Sequence, residues 1–198
     1  MAGMKGPTVL LQLLALTACG GDSEAVLHAL AAHAEPATWE RLDDRDPPHR
    51  LRDPRTGITF VRVPAGEFRS GPPGQERTFR ITQPFLIAET EWTIAQWSRC
   101  VAELGGDSAV PVPSDRADLP MPMSWLDAQQ ACVRLGYRLP TEAEWERACR
   151  ADHDPAKAPW STPTLLREHA WFNANAGEGA MPVRCRGPNA YGLHDMLG

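Results

Sequence analysis

The residues of this chain best suited to covalent chemistry are its five cysteines, and they separate into one and four. Cys19 closes the run Leu16-Thr17-Ala18-Cys19, where small residues precede a thiol. That order suits acylation of the sulfur and cleavage of the chain just ahead of it. The alternative is an ordinary secretory leader that happens to carry a cysteine. The other four are Cys100, Cys132, Cys149 and Cys185. An exported location permits disulfides, and four thiols allow three connectivities that sequence does not rank. A bridge from Cys185 to one of the other three would staple a loop-rich end to the core. Without it, the thiols would act as small buried hydrophobes. No CxxC and no Cys/His pair stands at zinc spacing.

Other polar candidates are weaker. His28, His33 and His49 have no Cys or carboxylate at ligand spacing and read as solvated side chains. Glu142 and Glu144 open a helix, where a carboxylate caps free amides and suits the positive end of the helix dipole. Asn173, Asn175, Asn189 and Asp195 offer oxygens to a hard cation. The formal net charge is -5 and no dense Lys/Arg patch appears along the chain, which argues against nucleic acid as a partner.

The elements that would position these residues are legible from punctuation. Lys5 followed by the apolar run 7–16 reads as an export leader, too short to span a bilayer. Residues 1–18 are thus expected to be a lipoprotein signal peptide, and 19–57 a flexible tether broken by Asp46-Pro47-Pro48. By resemblance to bacterial lipoprotein sorting, Gly20 after the thiol implies the outer membrane of a bacterial cell envelope. Residues 58–63 alternate and are β-branched, predicting a strand. Further strands are expected at 67–69, 78–81 and 85–88. Three helices follow, capped by Thr93, Ser124 and Thr141. Their expected inward faces are Trp97/Cys100/Val101/Leu104, Ala128/Ala131/Cys132/Leu135 and Trp145/Ala148/Cys149. After Arg150 the periodicity disappears and loop is expected, anchored by Trp160, Trp171, Phe172, Tyr191 and Leu193.

The third helix carries Arg138-Leu139-Pro140-Thr141-Glu142-Ala143-Glu144-Trp145-Glu146. This resembles the RLPTEAEWE signature of formylglycine-generating-enzyme/sulfatase-modifying-factor domains. Glu89-Thr90-Glu91-Trp92-Thr93, Met123-Ser124-Trp125-Leu126-Asp127-Ala128 and Pro188-Asn189-Ala190-Tyr191-Gly192-Leu193-His194-Asp195-Met196 resemble further family motifs in the same order. The resemblance covers about residues 58–198. It implies an α+β fold, irregular, related to C-type lectins, low in secondary structure and incomplete at the C-terminus, with calcium bound and Asn175 as one calcium ligand. It also implies, for catalytically complete relatives, oxidation of a substrate cysteine to formylglycine with copper held by two cysteines. No cysteine pair here matches that site, so the resemblance assigns no catalytic residue and the chain is expected to be inactive. Two functions follow. The full-length form would oxidise an exported protein substrate, or the protein would be a non-catalytic lipid-anchored surface module that binds or assembles with a partner.

Overall fold

The computed structural model describes residues 15–16, 39–45, 49–72, 74–106, 112–152, 160–172, 174–177 and 179–198. Cys19, His28, His33 and Asn173 lie outside them, as does most of the expected leader.

The framework is an antiparallel sheet in the order β1-β7-β4-β3-β2. Its strands are β1 (Ala15–Leu16), β2 (Glu40–Arg41), β3 (Arg50–Arg52), β4 (Thr59–Val63) and β7 (Phe85–Ala88). β4 pairs with β7 in the register Phe60↔Ala88 and Val61↔Ile87. Successive side chains on a strand point to opposite faces. Here both faces are covered, so the alternation sorts apolar residues between two cores. Phe60, Leu86 and Ala88 enter one core, while Val61, Val63, Phe85 and Ile87 enter the other. Every residue of β7 is buried for that reason.

The first core is closed by helices α1 (Ile94–Glu103) and α2 (Trp125–Leu135), through Cys100, Ala131, Cys132 and Leu135. The second is closed by helix α3 (Glu142–Arg150), through Ala148 and Cys149, and by Tyr191, Leu193 and Met196 of the last loop. The expected helical faces are therefore inward, with Trp145 partly buried against the second core. The caps form as read. Thr93 and Gln96 exchange bonds of 3.1 Å, and Ser124 accepts from the Asp127 amide at 3.1 Å. Gly136 ends α2 in the left-handed region at φ 81°, which glycine adopts without steric cost. A hairpin of β5 (Gly66–Ser70) and β6 (Arg77–Ile81) packs beside the sheet, with Phe68 and Phe79 stacked at 5.4 Å.

Three expectations need correction. The folded body begins before residue 58, since β2 and β3 join the sheet and Leu51, Asp53 and Thr56 are buried. The polar composition of this stretch reads as a tether, but pairing satisfies it. Asp53 receives the Arg55 guanidinium and the Tyr137 hydroxyl, and Asp43 accepts the backbone amides of Arg45, His49 and Arg50. Second, the C-terminal stretch contains a short helix, α4 (Pro163–His169), capped by Thr162 with Pro163 in its first turn. Seven residues are too few to show a periodic stripe. Third, Cys100, Cys132, Cys149 and Cys185 are all free thiols. Cys100 and Cys132 sit in the first core, Cys149 sits across the sheet in the second, and Cys185 is exposed. No staple from Cys185 to a helix forms.

Candidate functional site

An open cleft of about 770 Å³ lies where four separate stretches of chain meet. The loop after β2 brings Arg45 and His49, β3 brings Arg50, β4 brings Arg62, and the last loop brings Arg184 and His194. Local structure fixes each arrival. The Asp43 carboxylate gathers the amides of Arg45, His49 and Arg50 at 2.6–3.1 Å, and these bonds hold it below its usual value. The Arg62 amide donates to the His49 carbonyl at 2.8 Å, which locks β4 to the loop. Burial pulls the Arg62 guanidinium below its ordinary value.

Glu89 stands at the centre, buried at the end of β7. Its Oε1 accepts from Arg50 Nη2, and its Oε2 accepts from Arg184 Nε and Nη2 at 3.1 and 2.5 Å. A buried carboxylate needs such partners to remain charged. Glu89 also receives the His194 amide on its carbonyl at 3.0 Å, so it ties the sheet to the last loop. The two histidine rings are oriented from behind. His49 Nε2 is 3.0 Å from the Tyr191 carbonyl, and His194 Nδ1 is 2.9 Å from the Arg186 carbonyl. A carbonyl only accepts, so each of these nitrogens carries the proton.

Arg184 holds φ at +64°, a conformation uncommon for a residue with a side chain. Asp195, at φ +55°, accepts the Arg184 amide on Oδ2 at 2.8 Å. The left-handed backbone of Arg184 thus rests on two carboxylates, Asp195 at its amide and Glu89 at its guanidinium. Strained backbone held by its surroundings concentrates at functional sites. Asp195 Oδ1 is buried with no hydrogen-bond partner, and burial raises this carboxyl above its usual value. Glu91 is raised to about 7 by burial first and by the Asp195 charge second.

Of the candidate site residues singled out from the sequence, His49 and Asn189 line the cleft and Asp195 holds the Arg184 amide, while the others that the structure describes fall elsewhere. Burial pushes Cys100, Cys132 and Cys149 up to about 12. A copper-binding or nucleophilic thiol needs the reverse shift, toward thiolate, so these three do not fit a copper site. Asn175 binds its own chain. Its Oδ1 accepts the Phe172 amide at 2.7 Å, and its Nδ2 donates to the Ala170 carbonyl at 2.9 Å. That is a loop staple rather than the shell of about six to eight oxygens that calcium takes. Among the described residues no group of three His, Cys, Asp or Glu could hold a metal. Asn189 is likewise structural, donating to the Ala148 carbonyl at 2.8 Å. Glu144 acts as the capping carboxylate expected. It accepts the Thr141 amide at 2.8 Å and takes Arg138 on both oxygens at 2.9 and 2.6 Å. Sequence reasoning missed Glu89, Arg50, Arg62 and Arg184. The one available signal was a pair of acids, Glu89 and Glu91, directly after a wholly apolar strand.

The mixed sheet-and-helix layers, the long irregular C-terminal loop and the capped Arg138–Glu144 helix define a sulfatase-modifying-factor-like domain. The sequence profile of the sulfatase-modifying factor enzyme 1-like domain matches residues 47–198, and the chain belongs to that family. It is 33% identical over 130 residues to a formylglycine-generating enzyme of Thermomonospora curvata, covering 57% of this chain and 41% of that protein. It is 36% identical over 86 residues to the inactive C-alpha-formylglycine-generating enzyme 2 of Bos taurus, covering 38% of this chain and 29% of that one. The chain thus spans less than half the length of these relatives. Two solved structures share the fold. PvdO from Pseudomonas aeruginosa superposes with a TM-score of 0.57 at 22% identity, covering 74% of this chain and 70% of its own. Treponema denticola variable protein 1 superposes with a TM-score of 0.56 at 21% identity, covering 69% and 68%.

Proposed function

We propose that this chain is a non-catalytic member of the family, a binding or assembly module carried on a lipid anchor at the bacterial cell surface. The observation that supports this is the state of its thiols. Three are buried at the centre of two apolar cores, with the thiolate strongly disfavoured. Cys185, the remaining described cysteine, is alone and exposed. Oxidation of a substrate cysteine through a copper-thiolate pair has no residues to work with in this stretch. Incubation of the purified protein with a sulfatase-motif peptide, copper and oxygen is expected to give no aldehyde. Aldehyde above the metal-only control would overturn the proposal.

The similarity to the Thermomonospora curvata enzyme supports a second reading, in which the whole protein oxidises an exported substrate. Two cysteines a few residues apart in the continuing reading frame would favour it. The anchor rests on Leu16-Thr17-Ala18-Cys19. Palmitate labelling in the native host that survives Cys19→Ala would sink that part. Cleavage before Cys19 would also remove β1 and leave the outer edge of β7 open.

A further inference from the structure

We infer that the arginine-lined cleft is a binding site for a phosphate group, presented by a soluble phosphate monoester or by a lipid headgroup. The inference stands whether or not the whole protein oxidises a thiol.

The first ground is charge. The protein carries a formal charge of -5, yet among the described residues this cleft places four guanidinium groups, from Arg45, Arg50, Arg62 and Arg184, against the single carboxylate of Glu89. Glu89 is buried and fully engaged, so it anchors two of the arginines without filling the opening. The Arg50 and Arg184 side chains remain 42% and 43% exposed. A guanidinium has five N–H donors, and Glu89 accepts from one nitrogen of Arg50 and two of Arg184. Arg50 Nε is buried and has no hydrogen-bond partner. A buried donor left without an acceptor is costly, so the Arg50 guanidinium keeps hydrogen-bonding capacity that Glu89 does not use.

The second ground is shape. A carboxylate offers two oxygens in a plane and matches one arginine fork. The cleft instead is lined by four arginines, Arg45, Arg50, Arg62 and Arg184, and several guanidinium groups around one opening suit the three outward oxygens of a phosphate. Arginine on phosphate is the charge-assisted pairing that tolerates several donors per ligand. The volume, about 770 Å³, holds a phosphate and a small organic group attached to it. The third ground is preorganisation. Asp43 and Asp195 fix arginine-bearing backbone, and Glu89 holds two of the guanidinium groups, before any ligand arrives.

The test is titration of unacylated protein at low salt with inorganic phosphate, glycerol 3-phosphate and succinate, followed by calorimetry. Saturable phosphate and ester binding is expected, with succinate weaker. Arg62→Gln and Arg45→Gln are each expected to weaken binding about tenfold. Arg80→Gln on the exposed β5–β6 hairpin should change it less than about twofold. Arg45 is exposed, so its substitution reads the cleft even if Arg62→Gln disturbs folding. Cosedimentation with phosphatidylglycerol vesicles that Arg45→Gln abolishes would assign the headgroup as source. Soluble-ester binding without cosedimentation would assign the free ester. Absence of saturable phosphate binding, tighter binding of succinate, or an equal loss in Arg80→Gln would each overturn the inference.

Discussion

Arg138 places both of its terminal nitrogens on the two oxygens of Glu144, at 2.9 and 2.6 Å, while Glu144 Oε2 also accepts the Thr141 amide. One carboxylate therefore closes a salt bridge and a helix cap together. Glu144→Ala removes two acceptors of the Arg138 fork and leaves the Thr141 amide unpaired, and it should cost about 2 to 4 kcal/mol. Glu144→Gln keeps an acceptor for the amide and should cost less. Urea midpoints of the two variants check the order.

Gly66 faces the Arg147 guanidinium, which is buried and held by Asp152. A Cβ at residue 66 would stand 2.5 Å from Arg147 Nη2. Because Asp152 pins that end, Gly66→Ala is expected to destabilise by about 1 to 3 kcal/mol despite replacing hydrogen with methyl. Pairing it with Arg147→Met should recover part of the loss, measured by thermal unfolding.

Glu91 sets a pH dependence. Burial and the Asp195 charge raise it from 4.5 to about 7, so the folded protein holds this proton more tightly than the unfolded chain does. Its contribution is complete below about 4.5 and is lost as pH rises through about 7, roughly 3 kcal/mol in all. Glu91→Gln cannot lose a proton, so its stability relative to the parent should rise across that window. Equal slopes in the two proteins would contradict the assignment.

Thiol reactivity should follow burial. Cys185 is expected to react with iodoacetamide in the native protein at neutral pH. Cys100, Cys132 and Cys149, with thiols pushed up to about 12, should label only after denaturation. Peptide mapping by mass spectrometry separates the sites.

Tryptophan and exposed apolar residues give a last check on the fold. Trp125 is 55% exposed on α2 although Ala128, Ala131, Cys132 and Leu135 of the same helix are buried. Trp125→Ser should therefore change stability by less than about 1 kcal/mol, whereas Trp92→Ser in the first core should cost about 3 kcal/mol or more. Both are read from urea unfolding.

What the sequence determined by itself was local. Thr93, Ser124 and Thr141 announced three helices because a cap and the residue three positions on bond to each other within one turn. Strands β4 to β7 were legible because β-branched and aromatic runs ended at glycine and proline. The signature at Arg138–Glu146 was recognisable, and its role as a cap followed from the same local bonding. Tertiary structure decided the rest. Glu40–Arg41 and Arg50–Arg52 joined the sheet, and the polar residues beside them found partners, such as Tyr137 for Asp53, that lie far along the chain. Cys149 stayed apart from Cys100 and Cys132 because the sheet lies between their two cores. Most of all, no stretch of this acidic chain contains a basic patch. The arginines of the cleft are scattered from residue 45 to residue 184, and only folding around Glu89 brings their charges together.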